Sequence, residues 1–161
     1  MLIVDADGIN NLALNIDILQ KHKADIILTP HPGEFAKLTG LSVKDILENP
    51  KKHASDFSRK YGVITVLKSH RTVIALPDGT AYVNILGNPG MATGGSGDVL
   101  AVCIASFAAQ GFGAKNAALA GVYIHSLAAD MTACDPWWKC QLHPSGSVRP
   151  SDRWCSPDRS S

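Results

Sequence analysis

Three glycines within four positions, Gly94, Gly95 and Gly97, enclose Ser96 and lead directly into Asp98 and an alanine-rich apolar stretch. Glycine permits positive φ and lets a ligand approach the backbone closely. Where such a turn opens a helix, unsatisfied N–H groups and the helix dipole converge on one spot, which suits an anion. A carboxylate at Asp98, beside developing phosphate charge, fits a general base that takes the proton of a hydroxyl about to be phosphorylated. The same residues also describe a glycine-rich turn in which Asp98 only caps the helix.

Two further groups stand at the ends of apolar runs. Lys68 follows Val63–Leu67, and Ser69, His70, Arg71 and Thr72 come directly after it. Ligands of open α/β sheets bind at the carboxyl edge, where a lysine, an arginine and a hydroxyl can meet phosphates. A surface lysine leaving a strand is the competing reading. His31, between Pro30 and Pro32 in Thr29-Pro30-His31-Pro32-Gly33-Glu34, can hydrogen-bond a substrate or donate a proton, or simply be solvated. Asp5 and Asp7 close the first run and either orient neighbouring loops or form caps and turns. His125 falls mid-helix on an apolar face and reads as a packed residue. Cys103 lies in an apolar helical pattern; Cys134, Cys140 and Cys155, even with His143, have no zinc-ligand spacing and read as incidental thiols.

These residues need a scaffold that brings strand ends to one edge. Short apolar runs at 2–6, 25–29 and 63–67 read as buried parallel strands. A weak helix is expected over 9–23. Pro32-Gly33-Glu34 starts a helix that closes at Gly40, Ser42 caps another, and residues 51–61 continue as an amphipathic helix to Gly62. Segments 72–76 and 80–86 flank Pro77-Asp78-Gly79 as a hairpin, and 98–109 and 115–132 read as two apolar helices. Alternating strands and helices imply an α/β fold, a mostly parallel sheet flanked by helices. From Cys134 the chain loses periodicity and gains proline, serine and arginine, so 134–161 is expected to be a disordered tail after a domain at 1–133.

Composition agrees with an ordinary globular domain of 161 residues, 45% apolar and 18% charged. A formal charge of +1 without a basic run argues against a nucleic-acid partner. No apolar run is long enough for a membrane span, and the first residues lack a signal-peptide pattern, so a cytoplasmic protein is the expectation.

Taken in order, Asp5-Ala6-Asp7-Gly8-Ile9-Asn10, Thr29-Pro30-His31-Pro32-Gly33-Glu34, Leu67-Lys68 and Asn88-Pro89-Gly90-Met91-Ala92-Thr93-Gly94-Gly95-Ser96-Gly97-Asp98 closely resemble the ADP/ATP-dependent NAD(P)H-hydrate dehydratase family of the ribokinase-like superfamily. The resemblance covers residues 2–132. It implies a repair reaction: a nucleotide phosphate turns the hydroxyl of a hydrated nicotinamide into a leaving group, and elimination regenerates the cofactor. ADP or ATP is then the phosphate donor with Mg2+, hydrated NADH or NADPH is the substrate, and a homo-oligomer is left open. By position, Asp98 and His31 match substrate-binding residues, and Asp98 the catalytic one. Lys68, Ser69, His70, Arg71 and Thr72, with Gly94, Gly95, Ser96 and Gly97, match the nucleotide-binding segments. Ser69 stands where the family usually has glycine. So does Val102, where the larger side chain is expected to overpack a helix contact. Family members also carry a long segment before the first strand and a final helix pattern absent here, so a truncated, partial ribokinase-like domain is expected. A sugar or vitamin kinase of the same superfamily and an inactive nucleotide-binding fragment share the glycine turn.

Overall fold

Runs rich in isoleucine, valine and leucine that stop within a few residues favour extended backbone over helix. In the computed structural model, which describes residues 1–88, 91 and 94–133, each of the three runs contains a strand. β1 (Leu2–Val4), β2 (Ile26–Leu28) and β3 (Ile64–Leu67) are parallel neighbours, with Val4 opposite Leu28 and Leu28 opposite Thr65. β4 (Val73–Ala75) and β5 (Ala81–Val83) turn back as the expected hairpin and complete a sheet in the order β1-β2-β3-β4-β5. The second hairpin strand ends at Val83, short of its apolar run: Asn84 N–H still donates to Thr72 O, but its side-chain Nδ2 donates to Leu86 O and Ser126 Oγ and ties the following residues to α6.

The helices are α1 (Ala6–Ala13), α2 (Pro32–Thr39), α3 (Val43–Glu48), α4 (Pro50–Tyr61), α5 (Ser96–Ala109) and α6 (Ala114–Ala133). Gly40 and Gly62 end α2 and α4, and Ser42 Oγ accepts from Asp45 N–H to cap α3, all as the sequence implies. The segment expected as one helix over 9–23 differs in two ways. It begins earlier, at Ala6, so Asp7 and Gly8 lie in the first turn of α1 rather than at a strand end. It also breaks at Asn15, followed by a 3-10 helix over Ile16–Lys21. Asparagine competes for local backbone bonds and favours such breaks.

Period-2 alternation sends side chains to two layers. Ile26, Leu28, Val63 and Leu67 pack with Ile9, Phe35, Ile46, Phe57 and Tyr61 from α1 to α4. Ile27, Ile64, Val66 and Ile74 face Leu100, Ile104, Ala117, Ala118 and Val122 from α5 and α6. Helices thus cover both faces of the sheet.

The close approach of α5 and α6 falls at Gly121, where a Cβ would lie 2.6 Å from Ile104 Cγ1 and 2.9 Å from Ile104 Cα. Val102, expected to overpack a helix contact, is instead exposed on the outer side of α5. The tail expected at 134–161 lies outside the described residues, as do Cys134, Cys140 and Cys155; Cys103 is half-buried with a free thiol.

Candidate active site

The three parallel strands all end toward the same edge, and backbone bonds continue past them. Thr29 N–H donates to Val4 O at 3.1 Å, and Lys68 N–H donates to Pro30 O at 2.8 Å. Asp5 after β1 and Lys68 after β3 therefore emerge on either side of the end of β2. Their side chains meet: Lys68 Nζ lies 2.8 Å from Asp5 Oδ1, with 22% and 14% of the two side chains exposed. Ala6, next to Asp5, has φ +47°. A non-glycine residue held there carries backbone strain of about 1–2 kcal/mol, which the tight turn closed by Gly8 N–H to Asp5 O maintains.

The glycine turn arrives above this pair. Gly95 is the N-cap of α5 with φ +86°, a conformation that costs other residues energy. Gly95 has no side chain to cap the helix, and among the described residues no side-chain oxygen accepts from the helix's first N–H groups. At Gly97 a Cβ would stand 3.1 Å from Lys68 Nζ and 3.6 Å from Asp5 Oδ2. The absence of a side chain is what lets the ammonium approach the helix start. Gly94 is open: among the described residues nothing lies within 4 Å of where its Cβ would stand. Asp98 occupies the third helical position and is exposed, and among the described residues it makes no capping bond. The positive pole of α5 thus lies beside the Lys68 ammonium, and Asp98 is exposed in the same first turn.

His31 has a structural task that sequence reasoning missed. Its Nδ1 accepts from Gly33 N–H at 3.0 Å and Glu34 N–H at 3.3 Å, while Glu34 Oε2 accepts from His31 N–H at 2.8 Å. This is a reciprocal cap of α2 with histidine in place of serine. Two donors on Nδ1 leave the proton of a neutral ring on Nε2, which lies 3.4 Å from Glu34 Oε1. The ring is more than half exposed, so only its Nε2 edge can meet a ligand. Among the described residues no hydrogen bond joins His31 to the glycine turn.

Among the described residues of the segment from Lys68 to Thr72, it is Lys68 whose side chain reaches the start of α5. Ser69 Oγ donates to Arg71 O at 2.8 Å, Asn84 N–H donates to Thr72 O at 2.9 Å, and His70 and Arg71 are exposed. The hydrogen bonds of Ser69 to Thr72 stay within the β3–β4 connection and β5 among the described residues. His125, read as packed, is half-buried, and its Nε2 is 3.5 Å from Ser96 Oγ. Burial pushes its pKa below the usual histidine value, opposed by a hydrogen bond with the Ser96 main chain. The only sequence signal for this contact was a lone polar ring in an apolar helix.

Residues 1–145 match the family described as NAD(P)H-hydrate dehydratase. The chain belongs to the NAD(P)H-hydrate dehydratase family. It is 46% identical over 131 residues to a bifunctional NAD(P)H-hydrate repair enzyme of Moorella thermoacetica, covering 81% of this chain and 25% of that protein. A solved ADP/ATP-dependent NAD(P)H-hydrate dehydratase from Bacillus subtilis, co-crystallized with ATP/Mg2+ and soaked with CoA, superposes with a TM-score of 0.67 at 32% identity, over 91% of this chain and 50% of that one. A ribokinase-like superfamily protein of Enterococcus faecalis gives a TM-score of 0.67 at 35% identity, over 81% and 44%. The fold is therefore ribokinase-like, and the chain spans about half the length of these solved relatives and a quarter of the bifunctional one. Among the described residues, no helix is long and apolar enough to cross a membrane.

Proposed function

We propose that residues 1–133 form the nucleotide-handling part of a dehydratase that repairs hydrated NADH or NADPH, with ADP or ATP supplying the phosphate. The observation that carries this reading is the uncapped start of α5, with Lys68 Nζ 3.1 Å from a built Gly97 Cβ and Asp98 exposed one residue on. Backbone N–H groups at Gly94, Gly95, Ser96 and Gly97 and the Lys68 ammonium hold the nucleotide's phosphates, and Ser69 to Thr72 border them. Asp98 takes the proton from the nicotinamide hydroxyl as its oxygen attacks the terminal phosphorus. The phosphoryl–nucleotide bond breaks, and the shortened nucleotide leaves. The new phosphate ester then departs from the ring as inorganic phosphate with loss of a ring proton, restoring the reduced cofactor.

His31 offers its Nε2 edge to the substrate. Mg2+, present with ATP in the Bacillus subtilis structure, would reach the site on the phosphates. Among the described residues no three His, Cys, Asp or Glu side chains group to hold a metal.

The test is recovery of reduced-nicotinamide absorbance when the chain is mixed with hydrated NADH and ADP or ATP. Recovery that depends on the nucleotide supports the assignment. A phosphorylated product that accumulates without recovery makes the chain a kinase, and tight nucleotide binding without either leaves a binding module.

A further inference from the structure

Among the described residues, the segment that carries the proposed phosphate site is fastened at both ends to α6. Near the carboxyl end of α6, Asp130 uses both carboxylate oxygens on the chain entering the glycine-rich segment. Oδ2 accepts from Gly87 N–H at 2.8 Å and Oδ1 from Asn88 Nδ2 at 3.1 Å. Asn88 Nδ2 also donates to Ala129 O at 2.9 Å, and one turn earlier Ser126 Oγ accepts from Asn84 Nδ2 at 2.7 Å. At the other end of the segment, His125 Nε2 lies 3.5 Å from Oγ of Ser96, the first residue of α5. The two fastenings are about one and a half turns apart on α6.

A carboxylate in the last turn of a helix opposes the macrodipole, and α6 has no basic residue there to offset it. Elsewhere α6 is mostly apolar and packs on the sheet. The polar residues near its end are thus better explained by what they hold than by the helix itself.

We infer that Asp130 is a positioning residue for the phosphate-binding turn: with His125 it pins the two ends of the glycine-rich segment to α6, and so sets how well the turn binds a nucleoside diphosphate it does not itself touch. This rests on the nucleotide reading of that turn. It also makes a prediction of unusual sign. Simple electrostatics says that removing a negative charge near phosphates strengthens binding; loss of positioning says the reverse.

The experiment titrates the full chain, Asp130→Asn and Asp130→Ala with ADP by calorimetry, with adenosine as the phosphate-free control. Positioning weakens ADP binding by about ten-fold or more in Asp130→Ala, which loses both hydrogen bonds, and by less in Asp130→Asn, which keeps one acceptor oxygen, and leaves adenosine binding unchanged in both. ADP affinity that is retained or raised in both variants overturns the inference while leaving the nucleotide reading intact, as does an equal loss for ADP and adenosine. Failure of the unaltered chain to bind ADP overturns both. If neither variant folds, amide exchange on the unaltered chain decides: ADP must slow exchange at Gly87, whose N–H is held by Asp130, and an unchanged rate there overturns the inference.

Discussion

Lys68 and Asp5 form an ion pair across the end of β2, 2.8 Å apart, although they lie 63 residues apart in the chain. Each is largely shielded, so each depends on the other: removing one leaves a poorly solvated charge behind. Lys68→Ala and Asp5→Asn should each lower stability by about 1–3 kcal/mol in urea unfolding, and the double variant should cost clearly less than the sum. Additive losses would show that the pair is not coupled. Lys68→Ala should also weaken ADP binding by about ten-fold or more.

The helix contact at Gly121 allows a contrast between two positions. Gly121→Ala drives a methyl into Ile104 main-chain and side-chain atoms, 2.6–3.0 Å away, and should destabilise by about 1–3 kcal/mol despite alanine's better helix propensity. Val102→Gly, which restores the family's usual residue, should relieve nothing, because Val102 is exposed. A small loss from helix propensity is expected instead, about 0.5 kcal/mol. A rise in Tm for Val102→Gly would place the tight contact there after all.

Much of this architecture could be read from local signals. Three short β-branched runs, the Gly40 and Gly62 stops and the Pro77-Asp78-Gly79 turn identified the strands, helix ends and hairpin, because each depends on chemistry within a few residues. The start of α1 was missed because Ala6 sits at φ +47°, a conformation that no propensity favours. In the site, the glycine turn, Asp98 and Lys68 stood out by type and position. Their partners did not. Asp5 meets Lys68, and Asp130 meets Gly87, through contacts set by strand order and helix packing, which leave no trace in spacing. His31 showed its residue type but not its cap, since histidine is a rare choice for that position.

His125 makes stability depend on pH in a defined direction. Burial holds its folded pKa below the usual value, so the unfolded chain takes up the proton first as pH falls. The contribution is fully present above the unfolded value of about 6.5, shrinks as pH drops through it, and levels off once pH is below the folded value. Denaturant unfolding of the unaltered chain and His125→Gln at pH 7.5 and 5.5 isolates this effect, because the other histidines are common to both. The stability difference between the two proteins should narrow at the lower pH. A difference that stays constant would mean that His125 titrates alike folded and unfolded.

Asp98 gives the most direct test of the proposed chemistry. The carboxylate is exposed at the third position of α5, and among the described residues it makes no capping bond. Asp98→Asn preserves size and removes the proton acceptor. Because Asp98 makes no capping bond among the described residues, stability should change little, with a loss of a few tenths of a kcal/mol from its favourable place at the positive end of the dipole. Nucleotide affinity should hold or rise, since a negative charge near the phosphates is gone. Turnover of hydrated NADH should fall by about 10²–10⁴ if this carboxylate takes the hydroxyl proton. These three signs together distinguish a base from a structural residue, which would lose stability and affinity along with rate. An Asn variant that keeps more than about a tenth of the parent turnover would remove Asp98 as the base and return the role to another group or to solvent.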